Sequence, residues 1–168
     1  MYKLYIFWLP NSIGVILLDL NSKAPDFSLD GSDGKKHTLR EFSGKYLILY
    51  FYPKDDTPGC TTEARGFNAK LNDINKLGAV VVGVSSDNIA SHCRFQSKYN
   101  LEFLLLSDPS HDVIKDYGAY GNRGIFGMGT MRTTVIIDKT GHVAKIFEKV
   151  NPSGHEEEII KFIKSHPE

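Results

Sequence analysis

One cysteine of this chain stands where its sulfur can be activated. The stretch Pro53-Lys54-Asp55-Asp56-Thr57-Pro58-Gly59-Cys60 runs from an apolar segment into a helical pattern, and Cys60 falls in the first turn of that helix. A side chain there faces backbone N–H groups with no intrahelical partner and the positive end of the helix macrodipole, both of which favour thiolate over thiol. Such a sulfur suits the reduction of an O–O bond. That reaction also needs a donor to hold the incoming oxygens and a cation to stabilise charge as it moves to the leaving oxygen. Thr57, three residues upstream, offers a hydroxyl on a side chain whose β-branch restricts χ1. Pro53 and Pro58 restrict the loop backbone, and Pro53 keeps water and competing donors away from the sulfur.

The elements that must position this loop alternate between strand and helix. Tyr46–Tyr52 (YLILYFY) is a continuous apolar and aromatic run ended by Pro53, as expected of a strand buried on both faces. Cys60, Ala64, Phe67, Leu71 and Ile74 recur at helical steps and predict one helix, with Leu77-Gly78 as its stop. Ala79–Val84 predicts a second buried strand, with Ser86-Asp87 as the N-cap of a helix through Tyr99. Phe103–Leu106 reads as a strand, and Asp108-Pro109 as the cap and first position of a short helix over Ser110–Tyr117. Gly118–Gly129 holds five glycines in twelve residues and reads as irregular structure, a flexible rim beside the site. Thr133–Ile137 and His142–Phe147 predict a hairpin, and Gly154–His166 a closing helix. The order predicts an α/β domain with helices on both faces of a mixed central sheet and chemistry at the carboxyl ends of its strands.

Composition narrows the function from another side. The 168 residues amount to one domain, and 20 Lys+Arg against 20 Asp+Glu give no positive field for nucleic acid. Two cysteines, Cys60 and Cys93, are too few for a disulfide scaffold or a four-cysteine metal centre. The six histidines are scattered, His92-Cys93 being the one close pairing, and neighbours on a helix point about 100° apart, so no metal site is expected. Asp55-Asp56 reads as a solvated pair of loop carboxylates. Residues 1–20 form an apolar N-terminal extension, broken by Pro10-Asn11-Ser12 and shorter in each block than a membrane span. It reads as an added strand, an appendage or an upstream start, with a poorly formed signal peptide as the alternative; residues 21–168 form the domain.

Pro53-x-x-x-Thr57-x-x-Cys60 resembles the active-site pattern of peroxiredoxins, and the longer string Tyr50 to Thr61 is similar to their Q-type, or bacterioferritin-comigratory-protein, subfamily. The likeness continues in Ala24-Pro25-Asp26-Phe27 as an opening strand motif, in Val84-Ser85-Ser86-Asp87 and in Arg132-Thr133-Thr134, so that it covers the chain from about Lys23 onward. It implies a thioredoxin-like fold and a thiol-dependent peroxidase for hydrogen peroxide and organic hydroperoxides, with no metal or organic cofactor and with electrons from a thioredoxin-like protein. Cys60 would be the peroxidatic cysteine, Thr57 and Arg132 would hold the peroxide oxygens and stabilise the thiolate, and Pro53 would shield the pocket. Arg132 also fits on physical grounds, since it precedes a strand and a guanidinium stays charged at every working pH. Glu63, one turn into the helix, would orient it through a carboxylate–guanidinium pair. A cytoplasmic protein is expected, with no stable membrane insertion, as a monomer or alternatively a dimer.

One position departs from the family pattern. Many Q-type proteins carry a second, resolving cysteine five residues after the first, where this chain has Arg65. That leaves Cys93, and some Q-type members do place a resolving cysteine in the corresponding helix. The alternative is that Cys93 is a small apolar residue on a stripe with Ile89 and Gln96, in an enzyme that works with one cysteine. A disulfide oxidoreductase would want Cys-x-x-Cys, whereas the chain has Cys60-Thr61-Thr62-Glu63. A redox sensor with a slow thiol is the other alternative.

Overall fold

The structure, a computed structural model, describes residues 18–167. Its centre is the run expected to be buried on both faces. β3 (Tyr46–Phe51) is inaccessible at all six positions, and its side chains divide by parity between two cores. Tyr46, Ile48, Tyr50 and the following Tyr52 pack with α1 (Pro58–Ala69), α2 (Leu71–Lys76), α3 (Ile89–Tyr99) and α5 (His155–Ser165) through Phe67, Ile74, Phe95 and Ile159. Leu47, Leu49 and Phe51 face the other way, toward Leu39, Phe27 and the helix α4 (Asp112–Asp116) with its neighbour Tyr117.

The remaining strands are β1 (Ser28–Gly31), β2 (Lys36–Thr38), β4 (Ala79–Ser85), β5 (Leu104–Ser107), β6 (Tyr120–Asn122), β7 (Met128–Thr130), β8 (Thr133–Ile137) and β9 (Val143–Phe147). Seven of the nine form one sheet in the order β2-β1-β5-β4-β3-β8-β9. β3, β4 and β5 run parallel, and β8 lies antiparallel to β3 with Phe51 opposite Thr133. The residue before β8, Arg132, is therefore delivered to the carboxyl end of β3, where the loop to α1 departs. The fold is the expected thioredoxin-like α/β arrangement, a mixed sheet with helices on both faces.

Several local expectations change. The helix after Pro58 is two helices, because at Lys70 (φ −105°, ψ 9°) the amide donates to Phe67, three residues back. The stop at Gly78 holds, with φ +73°. α3 is capped by Asn88, whose side chain accepts from the Ser91 amide, since the expected cap Asp87 is engaged elsewhere. α4 starts at Asp112, after His111 at φ +63°, and Asp108 acts from a distance by accepting from the Ile114 amide. Gly118–Gly129 is not irregular. Tyr120–Asn122 and Met128–Thr130 pair as a hairpin, and Gly124 and Gly127, at φ +66° and +71°, supply the left-handed conformations that close its turn. The opening strand starts at Ser28, one residue beyond the Ala24–Phe27 motif, and β2 has no counterpart in the sequence reading.

At the amino end the Asn21 amide donates to the Val143 carbonyl and the Ala24 amide to that of Gly141, so the chain is tied to the sheet from Asn21 onward. Residues 1–17 of the expected extension lie outside the described residues. Among the described residues no helix is long and apolar enough to cross a membrane.

Candidate active site

The loop 53–57 leaves β3 and enters α1 with Thr57 at the N-cap, Pro58 at the first helical position and Cys60 two residues later. The Thr57 carbonyl accepts from the Thr61 amide at 2.8 Å, so the amides of Gly59 and Cys60 lie ahead of the first full helical bond. Cys60 is only 1% exposed. Arg132 reaches it from across the sheet edge, with Nη2 3.5 Å from Sγ, while Nη1 donates to Glu63 Oε2 at 3.3 Å. Glu63 follows Cys60 by three residues and so shares its helix face, which lets one guanidinium serve both. Burial opposes the charge on Arg132, but Cys60 and Glu63 outweigh it and hold its pKa above the ordinary value.

Glu63 lacks a full set of partners. It is 1% exposed, and its Oε1 accepts no hydrogen bond among the described residues. Burial pushes its pKa up to about 7, against the pull of Arg132. The hydroxyl of Tyr50, in the same core, is likewise without a partner, and burial together with the charges of Glu63 and Cys60 keeps it protonated.

The other expected site residues are placed less completely. Pro53 is half-buried at the start of the loop. Thr57 does not point its hydroxyl at the helix amides; Oγ1 donates to the Lys54 carbonyl at 2.8 Å. Cys93 does not sit on the buried stripe of α3, which consists of His92 and Phe95; it is half-buried and its thiol donates to the Ser32 carbonyl at 3.5 Å. Both cysteines are free thiols.

Three features escaped the sequence reading. Gly59 is one: a Cβ there would lie 3.0 Å from Arg132 Nη2, so the absent side chain is what lets the guanidinium approach Cys60. Asp55 is another. Asp56 is exposed as expected, but Asp55 is buried and accepts from the Tyr52 and Ser91 hydroxyls, with His92 Nδ1 at 2.7 Å. The third is the meeting of Asp55, Asp87 and His92, whose polar atoms lie within 4.8 Å of one another. Protein donors already face both carboxylates, so the group is a hydrogen-bonded cluster, built from positions too distant in sequence for any spacing rule to connect.

The AhpC/TSA family matches residues 20–146 of the chain. The chain is a peroxiredoxin of that family. Its relatives include peroxiredoxin Bcp of Bacillus subtilis, 40% identical over 90% of this chain and 98% of its own length. Chloroplastic peroxiredoxin Q of Arabidopsis thaliana is 42% identical over 90% of this chain and 71% of its own. Among solved structures, a cysteine-to-serine mutant of Xylella fastidiosa PrxQ superimposes with a TM-score of 0.87 at 30% identity, covering 90% of this chain and 99% of that one. The peroxiredoxin is thus of the Bcp/Q type and is a thiol-dependent peroxidase.

Two outcomes follow from this geometry. Gly59→Ala should leave the fold intact and slow peroxide consumption roughly tenfold, because it displaces the guanidinium beside the sulfur by a few tenths of an ångström, and rates fall steeply with such misplacement where the group acts on the reaction. Rates equal to the parent would show that the guanidinium has room to move. The second concerns pH. Folded Glu63 keeps its proton to about pH 7, whereas the unfolded group loses it near 4.5. Between those values the folded state binds more protons, so stability falls as pH rises, by up to about 3 kcal/mol. Glu63→Gln should flatten that fall in urea titrations at pH 5 and pH 7.5; an unchanged slope would locate the proton elsewhere.

Proposed function

We propose that Cys60 is the peroxidatic nucleophile of this peroxiredoxin and that hydrogen peroxide and organic hydroperoxides are its substrates. The approach of Arg132 Nη2 to a buried sulfur at a helix N-terminus carries the reading. A related structure, of the Xanthomonas campestris bacterioferritin comigratory protein, is described in terms of alkyl peroxide reduction; it is 36% identical with a TM-score of 0.80, over 83% of this chain and 91% of that one. The thiolate attacks one peroxide oxygen, an S–O bond forms as the O–O bond breaks, and the leaving oxygen takes a proton and departs as water or alcohol. Cys60 is left as sulfenic acid. Arg132 stabilises the anionic sulfur first and the charge developing on the oxygens afterwards. Thr57 turns its hydroxyl from the Lys54 carbonyl to the peroxide, and Pro53 closes the loop side of the pocket.

The second half of the cycle belongs to Cys93. Its thiol attacks the Cys60 sulfenate, water leaves, and an intramolecular disulfide forms, which a thioredoxin-like dithiol then reduces. The reading is supported by the free thiol of Cys93 and by direct bonds between its helix and the loop before Cys60, among them Lys98 and Tyr99 donating to Asp56. The setting that suits this chemistry is the cytoplasm, with the enzyme a monomer. Residues 21–168 carry the whole activity, since each of these groups lies beyond Asn21.

Stopped-flow peroxide consumption tests the assignments together. Cys60→Ser should abolish turnover. Arg132→Ala and Thr57→Val should stay folded and form sulfenate slower by a factor corresponding to a few kcal/mol each. Thr57→Ser should keep much more activity than Thr57→Val, and equal rates would remove the hydroxyl from the mechanism. Cys93→Ser should form sulfenate at the parent rate but fail to turn over with thioredoxin; full turnover would make this a one-cysteine enzyme. Deletion of residues 1–16 should leave activity largely unchanged, and loss of folding would place that segment in the core.

A further inference from the structure

The loop ahead of Cys60 is fastened to the helix that carries Cys93 by buried polar groups that peroxide chemistry does not use. His92 is fully inaccessible, and both of its ring nitrogens face acceptors: Nδ1 lies 2.7 Å from Asp55 Oδ2, and Nε2 lies 2.9 Å from the Leu106 carbonyl. A neutral imidazole has one N–H and a carbonyl can only accept, so these two bonds require a second proton, carried on Nδ1 or on the Asp55 carboxyl. The result is a short bond, at 2.7 Å, out of reach of solvent. Asp55 is otherwise filled by the hydroxyls of Tyr52, at 2.6 Å, and Ser91, at 2.8 Å. The Asp55 amide donates to Asp87 Oδ2 at 2.8 Å, and the Ser85 hydroxyl donates to the same oxygen at 2.7 Å. One closed cluster therefore joins the ends of β3 and β4, the strand β5, the catalytic loop and the first turn of α3.

Its place in the chain gives it a consequence for the reaction. Cys93 is the residue after His92, and its thiol is directed at the Ser32 carbonyl. A disulfide needs the two sulfurs about 2 Å apart, whereas Cys93 Sγ is engaged at Ser32 and Cys60 Sγ at Arg132, so at least one of the two helices has to leave its place, and movement of the α3 turn that bears Cys93 takes His92 with it. Withdrawal of His92 breaks two buried hydrogen bonds and leaves Asp55 with the hydroxyls of Tyr52 and Ser91 alone on its carboxyl group. We propose that the Asp55–His92 pair is a latch: closed, it holds the loop and α3 in the arrangement that reduces peroxide, and its opening is the step that frees Cys93 to reach oxidised Cys60. The proposal rests on the reading of Cys93 as the resolving cysteine. In that frame the latch sets a competition. While it stays closed the sulfenate is exposed to a second peroxide, which takes it to sulfinate; once it opens, the Cys93 thiol condenses with the sulfenate to give disulfide and water.

The test compares the parent with His92→Gln, which removes the imidazole from Asp55, and with Ser91→Ala, which cuts one strut and leaves the core in place. In rapid mixing, disulfide formation from the sulfenate should be roughly tenfold or more faster in His92→Gln, the scale on which leaving a buried polar group unpaired shifts an opening equilibrium. Ser91→Ala should show a smaller acceleration, and it carries the test where His92→Gln does not fold. The peroxide concentration that converts half of the enzyme to sulfinate should rise in step. Hydrogen exchange on the reduced proteins, which does not involve the disulfide, should quicken at the amides of α3 and not at those of β3 and β4. Unchanged exchange in α3, or exchange that quickens equally throughout the sheet, overturns the latch, as does a disulfide step no faster than in the parent. Absence of a Cys60–Cys93 disulfide in the parent overturns the resolving role instead, and the exchange pattern then decides the latch on its own.

Discussion

A guanidinium brought into the interior beside a sulfur is the constraint around which this molecule is organised. Arg132 lies 3.5 Å from Cys60 Sγ and is mostly shielded from solvent, so it carries a desolvation cost that the protein must offset with negative charge. At that separation a sulfur anion and a guanidinium attract on the order of 5 kcal/mol at an effective dielectric near 20, before desolvation is counted. The charge on the buried arginine is held by the two groups it faces, Cys60 and Glu63, against the cost of burial. In the proposed mechanism, with Cys60 as the nucleophile, the cation is already in place when charge passes to a peroxide oxygen and needs little reorganisation.

The sheet exists in the form that permits this meeting. β3 has apolar cores on both faces, which fixes its position, and its antiparallel pairing with β8 brings Arg132 to the strand end from which the Cys60 loop departs. Neither helix nor loop could do this alone, because Arg132 and Cys60 are 72 positions apart in the chain. The small contact surface at Gly59 completes the approach, as any side chain there would compete for the space the guanidinium occupies.

The parts of this arrangement legible in the sequence are those governed by local rules. The continuous apolar run of Tyr46–Tyr52, the helical spacing from Cys60 and the Pro53–Cys60 pattern each depend on neighbours in the chain; the first is a formed strand, the second is helical though broken in two at Lys70, and the third is the loop that leads into the first of those helices. Two of the errors, at Asp87 and Asp55, have a common physical cause, competition from distant groups. Asp87 looked like a helix cap, but its carboxylate is claimed by the Asp55 amide and the Ser85 hydroxyl, and Asn88 caps in its place. Asp55 looked like a solvated loop carboxylate because nothing near it in sequence announces His92, 37 positions away. The glycines of 118–129 suggested irregularity, whereas two of them only relieve the steric cost of a turn between short paired strands.

Glu63 shows why the site is not simply a pair of opposite charges. Were this carboxylate fully ionised near neutrality, it would compete with the sulfur for the single guanidinium, and Arg132 would be divided between two anions. Burial raises the Glu63 pKa to about 7 and leaves Oε1 without a donor, so at neutral pH a large fraction of the group is uncharged. An uncharged Glu63 can still accept one hydrogen bond from Nη1 and fix the plane of the guanidinium, while leaving most of the positive charge to the other edge. Nη2, on that edge, is the atom that faces Cys60. The apolar packing that penalises the Glu63 charge thus directs the field of Arg132 toward the sulfur, and in the proposed mechanism the core of the α/β domain takes part in the chemistry without touching the substrate.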